Sequence, residues 1–342
     1  MVSTTELLKY VEDELVNKSS QITFEDALNL YEIPYDELLS LMALARKVTL
    51  KYNDNNVILR SIINVKSGNC SEDCSFCSQS AHYQTTASSY DMLKVDKVLE
   101  MAEQAQKIGA LDLCLVMAVR SMTDRQLDKI LQYIMAIRNK TDLLIGCSLG
   151  MLEEGQAKKL SDAGVWRYNH NLESCREFFD TICTTHRYED RVSTAKVVNA
   201  TSMNLCCGGM IGVGESLKQR IQLAFEIKKL DPHTVPINFL DPRPGTPLGH
   251  LASLPSLEAL KTISIFRLIL PTQTILLAGG RERTLDDLQP LAILAGSNGM
   301  IIGNYLTTLG RQAKDDLDML RNLQIPISKD GSNTRERGIS KF

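Results

Sequence analysis

Cys70, Cys74 and Cys77 lie in the segment Cys70-Ser-Glu-Asp-Cys74-Ser-Phe-Cys77, a C-x3-C-x2-C spacing with no fourth cysteine close behind. Three thiolates on one short loop can hold three corners of an iron–sulfur cube and leave the fourth iron open. An open iron can bind a substrate or cofactor, whereas a fully ligated cluster only passes electrons. The alternatives fit less well. A structural zinc site needs a second C-x2-C knuckle or paired histidines, and the nearest histidine, His82, has no spaced partner. A disulfide framework belongs to short secreted chains. Chance burial is disfavoured by the Ser, Glu, Asp and Asn residues in and beside the triplet.

Residues 1 to about 55 read as helices, with Thr23-Phe-Glu-Asp26 as a capping box and a second helix over Asp36–Thr49. Beyond them, short apolar runs alternate with helical periods. The runs are Val57–Val65, Asp112–Val119, Leu143–Leu149, Val165–Leu172, Asn204–Ile211, Thr234–Leu240, Thr274–Ala278 and Met300–Tyr305. Helical stretches begin near Val95, Asp124, Glu153, Tyr188, Ser216, Ser256, Leu285 and Lys314. This alternation over roughly 250 residues predicts an α/β fold, a (β/α)8 TIM-type barrel over 56–327 with an N-terminal helical extension over 1–55. The polar tail 328–342 reads as disordered. The cysteine loop and Asp241-Pro-Arg-Pro-Gly-Thr-Pro-Leu both follow strands, so both fall on the C-terminal face, where barrels place chemistry.

Composition agrees with a soluble globular protein. The chain has 342 residues, 44% hydrophobic and 23% charged, with a net charge of −3. That charge suggests no nucleic-acid or acidic-membrane surface. No apolar run reaches transmembrane length, and the amphipathic, acidic start is unlike a signal peptide. Nine cysteines without a secretion signal point to a reducing cytoplasm.

Three more cysteines, Cys114, Cys147 and Cys206, fall inside the second, third and fifth predicted strands. Alternation along a strand would let all three face the barrel interior. Either they hold a second metal group, or they are small buried hydrophobes. Cys207, next to Cys206, then points away and reads as packing. Cys175 and Cys183 read as ordinary residues.

Taken together, these segments resemble the biotin synthases, within the radical S-adenosylmethionine (SAM) superfamily, over nearly the whole chain. The likeness rests on Gly68-Asn-Cys70 to Gln79-Ser80, Tyr168-Asn-His-Asn-Leu-Glu173, Thr184-Thr-His-Arg-Tyr-Glu-Asp-Arg191 and Cys206-Cys-Gly-Gly-Met-Ile-Gly-Val-Gly-Glu215. Val235-Pro-Ile-Asn238, Gly245-Thr-Pro247, Gly279-Gly-Arg-Glu282 and Leu306-Thr-Thr308 complete it.

The resemblance implies that Cys70, Cys74 and Cys77 hold a 4Fe-4S cluster that binds SAM and cleaves it to a 5′-deoxyadenosyl radical. The radical would take hydrogen from unactivated carbons of dethiobiotin, and an auxiliary Fe-S cluster of 2Fe-2S type, on Cys114, Cys147 and Cys206, would donate sulfur. It further implies Phe76 beside the adenine, and Gly208 and Gly209 against the methionine part of SAM. Asn171 and Glu173 would meet the ribose and Arg191 the SAM carboxylate. Asn169, Asn171 and Asn238 would bind the ureido ring of dethiobiotin, and Thr307 and Thr308 its carboxylate. A flavodoxin or ferredoxin type electron donor and a homodimer are implied as well.

Two positions depart from the family pattern. Leu276 stands where the family has an arginine as the fourth ligand of the sulfur-donating cluster, and Arg281 belongs to a separate Gly-Arg-Glu element. Glu173 stands where aspartate is common. Leu276 leaves room for a related enzyme without sulfur insertion, of maturase or mutase type. A non-catalytic iron–sulfur carrier or scaffold has no use for a full barrel with convergent polar residues on one face.

Overall fold

The computed structural model describes residues 3–308 and 310–329. Of the polar tail over 328–342, only residues 328 and 329 are among them. Ser328 is buried and its N–H donates to the Val57 carbonyl at 2.9 Å, so the expected disorder does not begin there, and 330–342 lie outside the described residues. Nine parallel strand segments form one closed sheet: β1 Ile58–Lys66, β2 Asp112–Met117, β3 Leu144–Ser148, β4 Arg167–Asn169, β5 Asn204–Cys206, β6 Gly209–Ile211, β7 Thr234–Phe239, β8 Thr274–Leu277 and β9 Gly299–Ile301. Their order is β5-β4-β3-β2-β1-β9-β8-β7-β6, closed by a β5–β7 pairing.

The barrel is eightfold because β5 and β6 are two halves of one strand, broken at Cys207 and Gly208. The first half pairs with β4, where Asn169 faces Cys206. The second pairs with β7, where Gly209 faces Ile237 and Ile211 faces Phe239. The break has a steric cause. A Cβ on Gly208 would lie 1.9 Å from the Pro236 carbonyl oxygen, and one on Gly209 would meet Leu223 and the Glu173 carbonyl oxygen at 2.7 and 2.9 Å. Only a residue without a side chain lets the strand pass that close to β7 and to the turn after β4.

Three helices precede the barrel, α1 Thr4–Glu12, α2 Phe24–Tyr31 and α3 Leu38–Tyr52. The capping box is present, with the Asp26 N–H donating to Thr23 Oγ1 at 3.1 Å and the Asp26 carboxylate accepting from the Thr23 N–H at 2.8 Å. The helices α4 Val95–Lys107, α5 Asp124–Arg138, α6 Glu154–Asp162, α7 Arg176–Phe179, α8 Tyr188–Asn199, α9 Leu217–Lys229, α10 Ser256–Ile269, α11 Arg281–Leu285, α12 Gln289–Leu294 and α13 Ala313–Asn322 follow in chain order. Every residue of α10 from Ala259 to Ile269 is buried, because it lies between the sheet and α2 and α3. A helix covered on all sides loses the amphipathic stripe of a surface helix. The N-terminal helices are pinned there by the Tyr31 hydroxyl, bonded to Thr262 Oγ1 at 2.8 Å, and by Lys261 Nζ, which donates to the Tyr31 carbonyl at 3.0 Å.

Gly208→Ala is expected to destabilise the folded chain by roughly 1–3 kcal/mol, the usual cost of overpacking. Urea unfolding measures it, and an unchanged midpoint would show that strand closure does not need the bare backbone.

Candidate active site

The cysteine loop is tied to the segment after β4 by two acidic residues of the triplet itself. The Asp73 carboxylate accepts the Thr184 and Thr185 N–H groups at 2.8 and 3.1 Å. Burial alone would raise its pKa; the hydrogen bonds from Thr184, Cys183 and Thr185 outweigh that and hold the carboxyl well below its ordinary range. The Glu72 carboxylate accepts the Thr185 hydroxyl at 2.9 Å and lies 2.5 Å from His186 Nδ1. Arg191 Nε–H can only donate, and it points at His186 Nε2 at 3.0 Å. The ring proton therefore sits on Nδ1, directed at Glu72.

This clamp brings two unexpected residues to the triplet. Cys183 Sγ lies 3.9 Å from Cys74 Sγ and 3.2 Å from His186 Nδ1, and the ligating atoms of Cys74, Cys183 and His186 all lie within 4.8 Å of one another. The hydrogen bond between the sulfurs favours thiolate on Cys183 and thiol on Cys74. Arg191 is buried beside them. It donates to the Asn171 carbonyl at 3.0 Å, pairs with Glu173 at 3.7 Å and lies 3.8 Å from Cys74 Sγ. Burial, with the nearby Cys70 contributing, pushes the Cys77 thiol up, and Cys77 likewise helps raise Cys74. The loop is closed by Cys70 N–H to the Gln79 carbonyl and Ala81 N–H to the Cys70 carbonyl. Three soft donors on one small loop, with the acidic side chains turned away into the clamp, fit an iron–sulfur cluster.

Beside the loop, a cavity of about 370 Å³ runs into the barrel from the C-terminal ends of the strands. Phe76, Cys77, Cys114, Asn169, Asn171, Glu173, Asn238, Thr307 and Thr308 all line it. Gly208 and Gly209 do not; their missing side chains serve the strand closure. Asn238 accepts the Gly279 N–H at 3.0 Å and Asn171 accepts the Gly208 N–H at 3.1 Å, so each amide is oriented by backbone and keeps hydrogen-bonding capacity for a ligand. Thr307 Oγ1 lies 3.2 Å from Ser78 Oγ, linking the last loop to the cysteine loop. Glu173 holds a left-handed backbone, φ 67°, and its carboxyl is raised by burial against the pull of Arg191.

The floor of the barrel is polar. Asp112 accepts two hydrogen bonds from Arg167, at 2.6 and 2.8 Å, and lies 2.9 Å from Arg60 Nε. Arg60 NH1 also donates to Cys206 Sγ at 3.4 Å. Burial pushes the Cys114 thiol up to about 12, while Arg167 and Arg60 pull the other way.

Cys147 does not join this floor. Ser148 lines the cavity, so its strand neighbour Cys147 faces the helix layer. There it is paired in register with Leu115 and Tyr168, whose own neighbours Cys114, Val116 and Asn169 face the cavity. The inward position of β3 is Gly146, and Arg167 fills the space: a Cβ there would lie 2.8 Å from Arg167 NH2. The expected set of three inward thiols is therefore two, Cys114 and Cys206, and the residues present do not fit a three-cysteine auxiliary cluster. Leu276 packs in a small apolar group with Ala278 and Ile301. Arg281 is held by Asp316 at 2.6 Å, away from the thiols. Cys207 is buried in the apolar core, as packing requires.

A triplet of thiols after the first strand of an eightfold parallel barrel, over a cavity ringed by amides and hydroxyls, defines a radical SAM enzyme. Residues 64–227 match the family model described as Radical SAM superfamily, and residues 236–325 that of the Biotin and Thiamin Synthesis associated domain. The chain is 44% identical over 324 residues to the biotin synthase of Rhodococcus jostii (strain RHA1), covering 94% of this chain and 96% of that protein. It is 44% identical over 318 residues to that of Pelotomaculum thermopropionicum, covering 92% and 99%. This chain belongs to the biotin synthase family. Among solved structures, methylornithine synthase superposes with a TM-score of 0.81 at 20% identity, covering 94% of this chain and 97% of that one. The FeFe-hydrogenase maturase HydG from Carboxydothermus hydrogenoformans superposes with a TM-score of 0.81 at 17% identity, covering 96% and 80%. At these identities the likeness concerns the barrel alone. Among the described residues, no helix is long and apolar enough to cross a membrane.

Asp73→Asn is expected to lower the stability of the metal-free protein by about 1–2 kcal/mol at neutral pH, a charged hydrogen-bond acceptor being lost. The folded carboxyl is depressed, so its contribution is complete above the unfolded value of ~3.9 and fades as pH falls through that range. Urea unfolding of both proteins from pH 7 to pH 3 should show the difference shrinking with acid; a constant difference would mean the clamp is not electrostatic.

Proposed function

We propose that this chain makes biotin by inserting sulfur into dethiobiotin through radical SAM chemistry. The observation that carries the reading is convergence: Phe76 and Cys77 at the cysteine loop share one cavity with Asn169, Asn171, Asn238, Thr307 and Thr308. A 4Fe-4S cluster on Cys70, Cys74 and Cys77, with SAM, supplies a carbon radical able to take hydrogen from saturated carbon, which no side chain is basic enough to deprotonate. The protein's own share is placement and exclusion of water. Phe76 offers a flat apolar wall for the adenine. Glu173 and Asn171 offer acceptors and a donor for the ribose hydroxyls, and Arg191 the charge for the SAM carboxylate. The Asn169 and Asn238 amides match the donor and acceptor pattern of a cyclic urea, and the Thr307 and Thr308 hydroxyls suit a carboxylate at the mouth. Cys114 and Cys206 in the barrel floor would hold a second iron–sulfur group, which would supply the sulfur. A flavodoxin or ferredoxin type protein supplies electrons, and the enzyme works as a homodimer in the cytoplasm.

Anaerobic protein given dethiobiotin, SAM and reductant should yield biotin, methionine and 5′-deoxyadenosine, and Cys70→Ala should yield none of them. SAM cleavage that neither depends on dethiobiotin nor gives biotin would favour an enzyme without sulfur insertion. Asn238→Ala should lower kcat/KM for dethiobiotin about 10–100-fold, the worth of one or two buried hydrogen bonds. An unchanged value would remove Asn238 from the substrate site.

A further inference from the structure

The barrel floor has two inward thiols where three were expected, and it holds a guanidinium against one of them. Arg60 is buried, lines the cavity together with Cys114, and donates to Cys206 Sγ at 3.4 Å. We propose that Cys114, Cys206 and Arg60 form the interior sulfur site of this enzyme, with Cys147 taking no part. The group held is an iron–sulfur species carried on two thiolates, and Arg60 is its positioning residue. The proposal rests on the reading that a second iron–sulfur group lies in the floor.

Charge supports the assignment. Two thiolates would balance the +2 charge of an oxidised iron–sulfur core, and one-electron reduction would then leave a net negative charge in a dry site, which is costly unless a cation offsets it. Asp112 neutralises only one of the two arginines beside it, so the trio Arg60, Asp112 and Arg167 leaves one positive charge facing the sulfurs. Hydrogen bonds to cluster sulfurs also set reduction potential. Arg60 is placed to make such a bond, since its Nε is fixed by Asp112 while NH1 reaches the thiol. Its position on β1, in register with Asp112 and two residues before Ile62, which pairs with Cys114, puts it one inward position below Cys114, from where its long side chain reaches Cys206. Cys147 lies on the other side of β3, and Arg167 fills the inward space beside it.

The test is anaerobic reconstitution of the full chain with iron and sulfide, followed by iron and sulfide analysis and spectroelectrochemistry. The cluster at Cys70, Cys74 and Cys77 serves in every variant as the control for folding. Cys114→Ser and Cys206→Ser should lose the iron and sulfide in excess of that cluster, and Cys147→Ser should keep it. Arg60→Met leaves Asp112 paired with Arg167, so no buried carboxylate is orphaned. It should bind less of the second group and shift what remains to a more negative potential, while Arg60→Lys should restore most of both. If Cys147→Ser loses as much as Cys114→Ser, or Arg60→Met leaves amount and potential unmoved, the assignment is wrong and the two-group reading stands. If the unaltered chain binds no iron beyond the first cluster, both fall together.

Discussion

The carboxylate of Asp112, fully buried between two guanidinium groups, is the interaction on which the interior depends. Burial alone would favour the neutral acid, but the charges of Arg167 and Arg60 hold the group below its ordinary pKa. Such a trio is tolerated in a dry core only when its hydrogen bonds are met. The geometry needed to meet them locks three neighbouring strands together, through Arg60 on β1, Asp112 on β2 and Arg167 on β4. Arg167 must reach past β3 to do so, and Gly146 is the gap it reaches through. The same trio decides what else the floor holds. It excludes a side chain from the inward position of β3 and presents Arg60 to Cys206.

The upper site is built on a different interaction, a clamp between segments more than 100 residues apart. Asp73 and Glu72 lie between the triplet cysteines and bond to Thr184, Thr185 and His186. His186 passes the contact to Arg191, and Arg191 passes it to Asn171 and Glu173 at the cavity wall. The cysteine loop is thereby fastened to the cavity wall through a continuous chain of side-chain contacts. The two halves meet in one cavity, whose amide-lined wall lies between the cysteine loop above and the floor below.

Much of this was legible in the amino-acid sequence. Apolar runs bounded by turn residues marked all eight strand positions, because strands buried on both faces read as near-continuous apolar stretches. Thr23 and Asp26 marked a helix start because a cap is a local interaction. The triplet was legible because its ligands share one loop. Long-range geometry was not. The face on which Cys147 lies depends on register, and a shift of one residue reverses it. The break after Cys206 arises where Gly208 passes Pro236, a contact between residues far apart in the chain. Arg60 sits inside an apolar run, and nothing local shows that Asp112 waits beside it. Cys183 reads as ordinary, and His186 has no role of its own within the Thr184–Arg191 segment, for the same reason: Cys74 and Glu72, which they meet, are more than 100 residues away.

One cavity runs from the three-thiol loop at its mouth to a floor where Cys114 and Arg60 line it and Arg60 bonds Cys206. Anomalous diffraction at the iron edge from anaerobically reconstituted crystals measures directly what each end binds. Two separate iron sites are predicted, one among Cys70, Cys74 and Cys77 and one between Cys114, Cys206 and Arg60. Iron ligated by Cys147, or no iron in the floor at all, would contradict the account.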